Sequence, residues 1–87
     1  MKSIWKYELV NTDVQSVDMP LGAEILTVQM QNGKPHIWCL VNEKEEKAFR
    51  KIRIICTGES IKSHFTGKYI GSYQDGVYVF HLFDYGY

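Results

Sequence analysis

The chain has 87 residues, the length of one domain covering 1–87. Ten Lys and Arg balance ten Asp and Glu, so the formal net charge is zero, and no global field draws in a long nucleic acid. The opening residues, MKSIWKYEL, lack the apolar stretch of a signal peptide and no 18-residue apolar run follows, so no membrane span is expected and the cytoplasm is the expected compartment.

Period-two patterning runs through most of the chain. SIWKYELV at 3–10 reads as a first strand, with Trp5, Tyr7 and Leu9 on one face and Ile4, Lys6, Glu8 and Val10 on the other. VQSVDMP at 14–20 reads as a short second strand, stopped by Pro20. AEILTVQM at 23–30 alternates and is β-branched enough for a third. Asn32-Gly33 tolerates the positive φ of a two-residue hairpin loop, and PHIWCLV at 35–41 is the return strand. A charged loop, 42–48, precedes FRKIRIICT at 49–57. The segment 58–67 is the least regular and has room for one helical turn. KYIGSYQ at 68–74, a turn at Asp75-Gly76 and VYVFHLF at 77–83 form a second hairpin. Six or seven short strands with tight turns predict an all-β antiparallel sandwich or partly open barrel.

The first hairpin has a definite register. A two-residue loop pairs Gln31 with Lys34, so Gln29 faces His36 and Thr27 faces Trp38. Leu26, Val28, Met30, Ile37, Cys39 and Val41 then share an apolar face, the expected core. Ile25, Thr27, Gln29, His36, Trp38 and Leu40 share the other. In the next strand Ile52, Ile54 and Cys56 oppose Phe49, Lys51, Arg53, Ile55 and Thr57. If that strand pairs with 35–41, Lys51 and Arg53 join Trp38, His36, Gln29 and Thr27. Such a face suits a planar ring beside a phosphate. It suits equally well a second subunit or another part of the same chain.

Chemistry-bearing motifs are sparse. His36 and Cys39 fall on opposite strand faces, so they make no metal pair, and no metal is expected. Cys39 and Cys56 read as reduced core residues rather than a disulfide. TGESIKSHFTGKY is not a phosphate loop, because Tyr69 follows Lys68 where Ser or Thr is required. FRKIR at 49–53 reads as a solvated edge strand guarded by cations, or as a local anion site. No nucleophile elbow or placed carboxylate pair occurs, so no catalytic residue and no cofactor are expected.

Five segments, IWKYEL at 4–9, MPLGAEILTVQMQNGKPHIWCLV at 19–41, TG at 57–58, GKYIG at 67–71 and VFHLF at 79–83, resemble a widespread group of small proteins encoded mostly by phages and prophages. The chain is similar to phage sponge proteins that defeat bacterial cyclic-oligonucleotide immunity (CBASS) by binding its signal. The resemblance implies a small homo-oligomer in the host bacterial cytoplasm. It would hold a cyclic dinucleotide such as 3′3′-cyclic GMP–AMP, uncleaved, in a pocket between subunits. Ligand residues are assigned from the face argument alone. Trp38, with Tyr7 or Tyr69, would stack on a base. Arg53 or Lys51 would pair with phosphate, and Gln29, Thr27 and His36 would read polar edges. The alternative is a protein–protein inhibitor or adaptor that covers a host enzyme with the same aromatic and basic face.

Overall fold

Among the described residues seven strands form, all antiparallel to their hydrogen-bonded neighbours, in two sheets: β1 Lys2–Glu8, β2 Val14–Pro20, β3 Glu24–Gln31, β4 Lys34–Asn42, β5 Lys47–Cys56, β6 Lys68–Asp75 and β7 Tyr78–Gly86. The structure is a computed structural model that describes residues 1–61 and 66–87. The expected helical turn within 58–67 falls in part on 62–65, outside the described residues. The strand order is β1-β4-β3 in one sheet and β2-β5-β7-β6 in the other. The expected all-β antiparallel sandwich is therefore the fold.

Local chemistry explains the hairpins. Asn32 and Gly33 both have positive φ, 53° and 78°, as a type I′ turn requires, and Gln31 pairs with Lys34. The second hairpin turns one residue later than expected. Asp75 pairs with Tyr78, so the loop is Gly76-Val77. Gly76 takes the positive φ, 62°, that begins a type II′ turn.

The two sheets bury one core between them. Leu9, Met19, Ile37, Cys39, Val41, Ile52 and Leu82 are almost wholly removed from solvent. Each large aliphatic group in that position contributes roughly 1.5–3 kcal/mol relative to exposure. Trp5 and Tyr7 pack against this core from β1, as the alternation in 3–10 predicts. At one side of the sandwich β3 lies against β6, with Gly71 of β6 at Val28 of β3.

Two expectations about faces change. The β3–β4 register slips between Ile25 and Thr27, where a bulge inserts Leu26. Ile25 therefore joins the core at 5% exposure, whereas Leu26, expected inside, is 42% exposed. More consequentially, β5 does not pair with β4. Strand β4 already has β1 on one side and β3 on the other, so no edge is left for β5. The chain turns after Asn42, whose carbonyl accepts from Glu45 N–H and whose side chain accepts from Lys44 N–H, and crosses to the other sheet. There β5 lies between β2 and β7, so it is a central strand rather than the expected edge.

Candidate functional site

The outer face of the three-stranded sheet carries Thr27, Gln29, His36 and Trp38 together, as predicted. Cross-strand rows set Lys6, Trp38 and Thr27 side by side, then Glu8, His36 and Gln29. This face is partly closed by its own side chains. Lys6 Nζ on β1 donates to Gln31 Oε1 on β3 at 2.5 Å, which carries the lysine stem across β4. Lys34 Nζ meets Glu8 Oε2 at 3.3 Å. His36 is only 7% exposed. Its Nδ1–H donates to the Lys34 carbonyl at 2.9 Å, so Nε2 is left toward Glu8, 4.0 Å away. The Trp38 ring is tilted against His36 with centroids 6.0 Å apart.

Lys51, Arg53 and Tyr69 lie on the opposite exterior, the outer face of the four-stranded sheet. Arg53 on β5 is opposite Phe83 on β7, and Phe83 is opposite Tyr69 on β6. The Tyr69 and Phe83 rings meet edge to face at 5.2 Å. Arg53 Nε donates to Asp13 Oδ1 at 3.0 Å, and its guanidinium is held above its usual pKa by hydrogen bonds to Tyr85 and Asp13. In the adjoining row His81 sits between Ile55 and Ser72. Both its nitrogens are engaged: Nε2 with Thr57 Oγ1 at 2.7 Å and Nδ1 with Tyr69 OH at 2.9 Å. A neutral imidazole donates from one nitrogen and accepts at the other, so Thr57–His81–Tyr69 is one hydrogen-bonded chain.

The combined face of Trp38 with Arg53 and Lys51 therefore does not exist within one subunit. It required β5 beside β4, and the sandwich turns the two sets of side chains away from each other. Tyr7 is on neither exterior. It points into the core, with its hydroxyl buried and without a hydrogen-bond partner among the described residues. Burial, then the nearby Cys39, Asp18 and Tyr87, raise its pKa.

Sequence reasoning missed His81 and Thr57 because the two are 24 positions apart. Only the β5–β7 pairing brings them together. It also misjudged Arg50, which shares the inward parity of Ile52 and Ile54. Arg50 makes a two-pronged ion pair with Asp84, Nε to Oδ1 at 2.8 Å and Nη2 to Oδ2 at 2.6 Å, with both side chains nearly buried. Nη1 donates to the Ala23 carbonyl at 2.8 Å, and the Tyr87 ring lies 4.7 Å from Cζ. Parity was the available signal. This network is structural: every donor it uses is committed to the protein.

Neither cysteine is bonded to another. Burial pushes the Cys39 thiol up to about 12, which makes it inert. Among the described residues no group of three or more His, Cys, Asp and Glu could hold a metal ion. No described helix is long and apolar enough to cross a membrane.

Fold and face together define a small β-sandwich whose larger sheet presents rings, hydroxyls and a cation on one exterior. Within that class, the chain belongs to the DUF7352 family, a domain of unknown function, whose pattern matches residues 1–86. No curated protein and no solved structure matches it.

Proposed function

We propose that this chain is a non-catalytic phage anti-defence protein that sequesters a cyclic dinucleotide immune signal such as 3′3′-cyclic GMP–AMP, and that the ligand seats on the outer face of β5, β7 and β6. One observation carries the reading. Three of the segments behind the phage-sponge resemblance, TG at 57–58, GKYIG at 67–71 and VFHLF at 79–83, are distant in sequence yet meet at His81 on this face. They bring a half-exposed Tyr69 ring beside His81 and Phe83, in the same cross-strand row as Arg53. Rings suit bases, and a guanidinium suits phosphate.

Isothermal titration with 3′3′-cyclic GMP–AMP tests it, followed by heat release and chromatography of the ligand. Binding with recovery of intact ligand is expected. Tyr69→Ala should weaken binding by about 1–3 kcal/mol, the usual worth of a base–aromatic stack. Trp38→Ala, on the opposite exterior, should leave it unchanged. Absence of binding, or recovery of a cleaved product, removes the proposal. Loss of binding in Trp38→Ala alone moves the seat to the other sheet.

A protein partner is the second reading. Phe49 at 68% exposure and Val14 at 49% lie on the same exterior, near the exposed Lys51. Exposed rings next to cations also make a protein hot spot. A single stoichiometric host protein recovered by pull-down, with no nucleotide bound, would favour it.

A further inference from the structure

We propose that two copies of this chain pair through the free edge of β1, antiparallel and about a two-fold axis at Trp5, to make one continuous six-stranded sheet. The argument starts from the hydrogen-bond phase of β1. Leu9 N–H donates to the Pro35 carbonyl of the β4 segment at 2.8 Å. In an antiparallel ladder the bonded positions alternate, so Ser3, Trp5 and Tyr7 face β4 in the same way. Lys2, Ile4, Lys6 and Glu8 then turn their N–H and C=O groups to the open side. Val10, next in that series, does turn both groups away from β4: its N–H donates to Gln15 Oε1 and its carbonyl accepts from Gln15 Nε2. Gln15 thus satisfies the edge at Val10. Among the described residues, Lys2–Glu8 has only β4 as a sheet neighbour.

The strand is complementary to itself. Full overlap of Lys2–Glu8 with a second copy sets Lys2 against Glu8, Ser3 against Tyr7, Ile4 against Lys6 and Trp5 against Trp5. Only even-numbered residues face even-numbered ones in that register, which is the phase the free groups demand. The same register puts opposite charges at both ends of the pairing. Lys2 makes no ion pair among the described residues, and Ile4 is 61% exposed beside it.

The other edges are less suited. β3 and β6 lie against each other. β2 ends in Pro20, which has no N–H, and its full-overlap pairing sets Asp18 against Ser16 with no opposite charge. The proposal does not depend on any ligand.

Native mass spectrometry and light scattering on the full chain test it. A dimer of about 20 kDa, twice the 10.1 kDa chain, is expected for the wild type. Lys2→Glu and Glu8→Lys should each raise the dissociation constant at least tenfold, and the double variant Lys2→Glu/Glu8→Lys should restore it. Ile4→Pro removes one outward N–H without touching the β1–β4 ladder, and should give a monomer with unchanged circular dichroism. A wild type that is monomeric at about 0.1 mM, a concentration where specific association is readily detected, overturns the proposal. So does a dimer indifferent to Ile4→Pro and to the charge variants.

Discussion

Arg50 and Asp84 show what one buried pair asks of its neighbours. Burial alone would raise the Asp84 pKa, but hydrogen bonds from Arg50 and from Gly86 N–H, with the charges of Arg50 and Lys68, bring it below the usual value. A carboxylate depressed in the folded state contributes stability above its unfolded pKa of about 3.9, and that contribution is lost as pH falls through the folded value. The urea midpoint should therefore fall as pH drops from about 4 toward about 2. Arg50→Ala strands a nearly buried carboxylate and should cost about 3–5 kcal/mol in urea unfolding. The double variant Arg50→Met/Asp84→Leu should recover most of that and lose the acid sensitivity. Tyr7 is the converse case. Its hydroxyl is buried without a partner among the described residues, so Tyr7→Phe should be neutral or stabilising by up to about 1 kcal/mol, with ligand titration unchanged.

At the level of the strand, period two located the elements but not the interruptions in them. The stretch 14–20 was legible to the residue because Pro20 closes it, and it is β2. The Asn32-Gly33 turn was legible because both residues accept positive φ. The bulge at Leu26 was not, since Ile25 and Leu26 are equally apolar and neither marks itself as the extra residue. What separates them is the neighbour each meets: Ile25 is opposite Cys39 at the core, while Leu26 has no partner on β4. Ile25→Ala should cost about 2–5 kcal/mol, and Leu26→Ala no more than about 0.5 kcal/mol, in the same unfolding measurement. Equal costs would mean that the bulge is absent in solution.

Across the whole molecule, the decisive step is which strands share a sheet. Trp38 and Arg53 have the same apparent character in the sequence, each on the polar side of an alternating strand. Their separation follows from β4 being central, with both flanks occupied by β1 and β3. The same topology gathers Thr57, Tyr69 and His81 from three strands or their ends. It also leaves β1 at an open edge while β3 and β6 close on each other. The ligand titration and the mass measurement thus probe different parts of the sandwich, and one can fail while the other succeeds.

Alternation and turn chemistry are local properties, so the sequence alone determined an all-β antiparallel chain, the Asn32-Gly33 hairpin, the second hairpin to within one residue, and the inward side of β1, β4 and β5. Pairing between distant strands is a competition among many apolar faces of similar quality. Tertiary structure alone decided that β5 leaves β4 for the second sheet, that Asp84 is the partner Arg50 meets, and that His81 meets Thr57 and Tyr69. Each of those outcomes depends on which hydrogen-bonding edge is still vacant when a strand arrives, and no single stretch of sequence records that.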